Sequence, residues 1–219
     1  MLVDKHGRAK VLTPEEITEL FGDNGFRTTR DRALFGICLY TACRINEACS
    51  LRVNDVWRCK GAVNPYIVFR KATTKNRLAT RVIPVNEELR RLLLEYYPSP
   101  RGWWAFNGRD NEGHLASKSA SLVYKKVADR IGIIGSSTHS FRRTALTQMS
   151  NSLIPLRVIQ EISGHRSLGE LQKYLEVTDE QIKGAVASLN MLSHGKVSTY
   201  HPNLDNLLTE SQSIPTKHL

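Results

Sequence analysis

Four basic side chains and one phenol stand at spacings that suit chemistry on a phosphodiester. Tyr174 follows His165 by nine residues and Arg142 by thirty-two, and the histidine sits in the pair Gly164-His165. A phenol can hold a phosphate covalently while cations surround it, with no metal required. His139-Ser140-Phe141-Arg142 sets an imidazole and a guanidinium three residues apart. A helix starting here turns both toward one anion, which its N-terminal dipole also favours. Arg44 lies in Cys43-Arg44-Ile45-Asn46-Glu47, where one helical turn sets Glu47 on the arginine's face and lets the carboxylate orient the guanidinium.

These side chains need elements to carry them. Thr13-Pro14-Glu15-Glu16 supplies an N-cap, a first-turn proline and a capping-box acid, so a helix starts at 14 and closes near Gly22 with Ile17, Leu20 and Phe21 inward. A second helix over 29–41 turns Leu34, Ile37, Cys38 and either Tyr40 or Thr41 inward and delivers the chain to Arg44. Segments 66–69 and 80–85 are rich in β-branched residues and flank a polar, basic stretch, which predicts a β-hairpin with a lysine in its turn. Lys75 is the candidate, and Lys71 and Arg77 compete with it.

Helical patterns resume at 86–97, 118–131, 141–150, 155–163 and 179–189. The 155–163 segment opens on Pro155, shows an apolar face of Leu156, Ile159 and Ile162, and stops at Gly164. His165 is thereby held just past a packed helix end. The expected fold is mainly α with a small antiparallel β-sheet, in one main domain over 13–190, with a basic arm or linker remnant at 1–12 and a polar tail at 191–219.

The bulk numbers name the partner. The 219 residues carry 31 Lys and Arg against 21 Asp and Glu, a formal charge of +10, which favours a polyanion and makes nucleic acid the first candidate. No apolar stretch approaches the roughly 18–20 residues of a membrane span, and the N-terminus lacks a signal-peptide core, so a cytoplasmic protein without membrane contact is expected. Cys38, Cys43, Cys49 and Cys59 match no CxxC pattern and read as reduced thiols rather than metal ligands.

Taken in order, Arg44, a hairpin lysine, His139-x-x-Arg142, Gly164-His165 and Tyr174 resemble the catalytic domain of the tyrosine recombinases, the phage integrase family, over about residues 12 to 189. The opening Leu12-Thr13-Pro14-Glu15-Glu16 is similar to the usual start of that domain. Arg143 stands where a histidine is common and Ser163 where a leucine is usual. Only about a dozen residues precede the catalytic domain, where family members usually carry a helical clamp domain.

The resemblance implies a site-specific recombinase or integrase acting on double-stranded DNA through a 3′-phosphotyrosyl intermediate at Tyr174, without cofactor or metal. Arg44 and Arg142 would bind the non-bridging oxygens bidentately and His165 would add a donor. His139 would either accept the phenol proton or hydrogen-bond the phosphate, and Lys75 would protonate the departing 5′-oxygen. Glu47 would support Arg44, while Lys71, Arg77 and Arg143 are candidate DNA contacts. Family members work as tetramers, and the 179–189 helix is a candidate for docking on a neighbouring subunit or packing in its own chain. Two other readings are a type IB topoisomerase and a DNA-binding regulatory remnant of a longer integrase.

Overall fold

Thr13 opens the first helix with a reciprocal cap: its Oγ1 accepts from Glu16 N at 3.2 Å and Glu16 Oε2 accepts from Thr13 N at 3.0 Å. The computed structural model describes residues 9–58, 61–70, 80–98, 103–108, 113–172 and 179–189. Helices α1 (Pro14–Phe21), α2 (Thr29–Thr41), α3 (Ile45–Cys49) and α4 (Val53–Val56) precede strands β1 (Tyr66–Phe69) and β2 (Arg81–Pro84). Then come α5 (Glu87–Glu95), α6 (Ser117–Ile131), α7 (Thr138–Asn151), α8 (Leu156–Ser163) and α9 (Leu168–Gln172). All of these belong to one compact unit spanning 1–176. Helix α10 (Asp179–Ala187) belongs to a second unit, 177–219, where Ile182 and Val186 are exposed.

The two strands pair antiparallel, with Ile67 opposite Ile83 and Phe69 opposite Arg81, so the expected α+β class and hairpin are both present. The residues between the strands, 71–79, lie outside the described residues, and with them Lys71, Lys75 and Arg77. No described helix is long and apolar enough to cross a membrane.

Helix α2 is the centre of the core. Ala33, Leu34, Phe35, Ile37, Cys38 and Leu39 are all buried, which a helix achieves only when elements pack on every side of it; α5, α7 and α3 do so here. Phe35 stacks on Phe26 at 4.6 Å and on Phe141 at 5.1 Å, and Tyr124 meets Phe141 edge-on at 5.1 Å. Phe141 therefore locks α7 to α2 one residue before Arg142. Phe141→Ala is expected to cost about 3–5 kcal/mol, the range for an aromatic deleted from a packed core. A denaturant midpoint unchanged from wild type would contradict it.

Helix α7 begins three residues earlier than the periodicity predicts. Ser137 caps it, accepting from His139 N at 3.3 Å, while Ser140 Oγ accepts from Ser137 N at 3.0 Å. Ser137 is thus the helix cap, and His139 lies within the first turn.

Candidate active site

Arg142 is 2% exposed and has no carboxylate partner among its hydrogen bonds. Two helix ends take that place. Its Nη1 donates to Ala42 O at 2.5 Å, where α2 ends in the left-handed region, and to Ser163 O at 2.9 Å, where α8 ends. Both carbonyls belong to the negative ends of helix dipoles, which stabilise a buried cation without neutralising it. Burial, then repulsion from Arg44, lowers the Arg142 pKa to about 10, so the guanidinium stays charged at neutral pH. Its Nε is buried without a hydrogen-bond partner.

His165 is 6% exposed and sits between Arg142 and Ser163. Arg142 Nη2 lies 3.0 Å from its Nε2, and Ser163 Oγ lies 2.7 Å from its Nδ1. Arg142 Nη2 is also 3.4 Å from Nδ1, so the guanidinium lies against the ring while the Ser163 hydroxyl holds its Nδ1 side. Gln160 Nε2 donates to His165 O at 3.0 Å and fixes the backbone past the helix end. The preceding Gly164 has φ +66°, and a Cβ there would stand 2.8 Å from the Arg81 side chain. Both the left-handed backbone and the close side chain favour glycine.

Burial, then the charges of Arg142, Arg44 and Arg81, push the His165 pKa down from 6.5 to about 3. The unfolded chain takes up this proton as pH falls through about 6.5 and the folded chain does not. The stability involved is therefore fully present above about 6.5 and is lost as pH falls toward 3. The His165 ring is expected to remain neutral at pH 5, and His165→Gln to flatten the fall in the urea midpoint between pH 7 and 5. A ring resonance titrating near 6.5 would contradict this.

Glu47 supports Arg44 differently from the sequence expectation. Its Oε2 accepts from Arg44 N at 2.8 Å, closing the first turn of α3, while its Oε1 is 4.0 Å from Arg44 Nη1 but 2.9 Å from Arg81 Nη2. The carboxylate orients the backbone of Arg44, and Arg81 takes the close ion pair. Arg81 went unread in the sequence. Its signal was strand alternation, since two residues from buried Ile83 it shares the inward face of β2.

Arg44, Arg81 and His165 line one open groove of about 520 Å³, together with Glu47, Gln160, Arg157 and Arg166. Arg157 is paired to Glu161 at 2.5 Å, and Arg166 is exposed at the rim. Arg142 lies behind His165 instead of on the groove wall, with its Nη groups turned to the protein's own carbonyls and imidazole. His139 is exposed on the first turn of α7 and does not line the groove. Arg143, expected to touch DNA, is 8% exposed and donates through Nη1 to Ala9 O at 2.7 Å, because the chain entering α1 crosses over it. Tyr174 lies outside the described residues. Among the described residues, no three His, Cys, Asp or Glu side chains converge as a metal site would need.

The sequence model of the phage integrase family matches residues 10–181. The chain belongs to this family. Among curated relatives, this integrase-family chain is 28% identical over 186 residues to tyrosine recombinase XerA of Pyrococcus furiosus, an alignment covering 84% of this chain and 63% of the relative. It is 29% identical over 199 residues to tyrosine recombinase XerC of Oceanobacillus iheyensis, covering 85% and 63%. The integrase-family chain thus spans less than two thirds of the length of either. Its fold matches a crystal structure of XerA recombinase with a TM-score of 0.65 at 21% identity, covering 83% of this chain and 66% of that one. It also matches XerH site-specific recombinase bound to difH substrate, with a TM-score of 0.63 at 20% identity, covering 86% and 56%.

Proposed function

We propose that this chain is the catalytic part of a site-specific DNA recombinase that cleaves and rejoins strands through a phosphotyrosine at Tyr174. One observation carries the reading: Arg44 and Arg81 face a single groove with His165, Arg142 stands directly behind, and the one buried carboxylate of the described lining, Glu47, is already paired. Such a groove favours an anion and stabilises it further as negative charge grows in a five-coordinate phosphorus.

In the proposed reaction the Tyr174 oxygen bonds to phosphorus as the bond to the 5′-oxygen breaks. The phenol proton leaves to a base and the 5′-oxygen takes a proton from Lys75; His139, exposed on the first turn of α7 outside the groove lining, either accepts the phenol proton or hydrogen-bonds the phosphate. The 3′-phosphotyrosine keeps the phosphodiester's energy, so a 5′-hydroxyl from a second duplex reverses the step. Arg44 holds a non-bridging oxygen from the groove wall. Arg142 reaches it when the imidazole of His165 swings off its Nη2, which frees a donor now held by the protein's own imidazole. Double-stranded DNA is the partner and a tetramer on DNA the working assembly, in the cytoplasm.

Strand exchange tests this reading. Duplexes enriched from a random pool by binding are labelled differently and mixed with the protein. Chimeric strands joined at one position are expected. Relaxation of supercoils without partner exchange would indicate a topoisomerase, and binding with neither product a regulatory DNA-binding module.

A further inference from the structure

Arg81 touches three elements, two of which, α3 and α8, line the groove. Its Nη2 is 2.9 Å from Glu47 Oε1 in α3, its Nη1 donates to Ile162 O at 2.6 Å in α8, and its guanidinium lies 5.1 Å over the Phe69 ring in β1. Its Cδ and Nε also pack on the backbone of Gly164, so closely that a Cβ there would meet them at 2.8 Å. The side chain is 9% exposed and the Glu47 side chain 3%. The ion pair is therefore largely shielded from water, although it lacks the directional geometry of a hydrogen bond.

A buried carboxylate pairs with a cation if one is in reach. Among the described residues, Arg44 Nη1 is the next cation in reach, at 4.0 Å from the same oxygen. We propose that Arg81 is a positioning residue that occupies Glu47 and so keeps the guanidinium of Arg44 available to an anion in the groove. Without Arg81, Glu47 closes on Arg44 and neutralises a cation of the groove wall. The same guanidinium joins the base of the hairpin to the end of α8, so a shift of the hairpin is felt beside His165.

The proposal rests on the strand-transfer reading only in its DNA arm, because the anion arm needs no DNA. Binding of inorganic phosphate to the 219-residue chain is measured by titration calorimetry for wild type, Glu47→Gln, Arg81→Gln and the double variant. Arg81→Gln is expected to weaken phosphate by about tenfold, equivalent to about 1.4 kcal/mol. Glu47→Gln in that background is expected to restore it to within about threefold of wild type, far more than Glu47→Gln strengthens binding alone.

A general charge effect instead predicts the same factor from Glu47→Gln in both backgrounds, and a purely structural role predicts no rescue; either result overturns the proposal. If Arg81→Gln fails to fold, Arg81→Lys decides. A lysine retains the counter-ion but not the fork to Ile162, so phosphate affinity within about threefold of wild type supports the proposal and a tenfold loss overturns it. The same variants are then scored for covalent adduct on a nicked duplex. Phosphate results as expected with no adduct from wild type would leave the role of Arg81 intact and sink the strand-transfer reading.

Discussion

Arg142→Ala is expected to lower strand cleavage by at least about 10²–10³-fold, the usual loss when one preorganised donor to a developing charge is removed, and to destabilise the fold as well. The second effect follows from where its donors point. The Ala42 and Ser163 carbonyls and the His165 ring all accept from this one guanidinium, and each buried acceptor left unpaired costs about 1–3 kcal/mol. Arg142→Lys keeps the charge and loses the planar fork, so it is expected to recover part of the stability and little of the activity. Single-turnover cleavage and a urea midpoint on the same preparations check both. An alanine variant as stable as wild type would mean that the two helix ends are held together by other contacts.

Arg44→Gln is expected to separate chemistry from folding. The Arg44 side chain is 26% exposed, and its backbone N–H, which closes α3 onto Glu47, survives the substitution. Cleavage is expected to fall by about 10²-fold or more, with a stability change below about 1 kcal/mol, as for an arginine outside a tight pair. Comparable losses of stability in Arg44→Gln and Arg142→Ala would contradict the distinction drawn between an arginine on the groove wall and one buried behind it.

The elements legible in the sequence were those with a cap or a long period. Thr13 with Glu16 marks α1, the apolar run through Leu34 and Ile37 marks α2, and Gly164 marks the stop of α8. Helices α4 and α9, of four and five residues, are too short to show a period and went unread. The site was legible as a set of residue types, and Arg44 and His165 do meet at one groove with Arg142 behind them.

What spacing along the chain could not convey was allocation. Glu47 at i+3 from Arg44 suggests a pair, yet the partner comes from β2, 34 residues later than Glu47. Arg143, adjacent to Arg142, suggests a second DNA contact, yet a 100° step around the helix turns it to the backbone of Ala9. Both outcomes depend on tertiary neighbours that periodicity does not encode.

The groove is proposed to serve a covalent step at Tyr174. A duplex nicked just past the cleavage position loses its short 5′-hydroxyl fragment after attack, so rejoining is blocked and the intermediate accumulates. With cognate duplex, the wild-type chain is expected to form a denaturant-stable adduct whose peptide mass places the nucleotide on Tyr174, and Tyr174→Phe to form none while still binding the duplex. An adduct that persists in Tyr174→Phe, or none from wild type on any duplex it binds, would contradict the account.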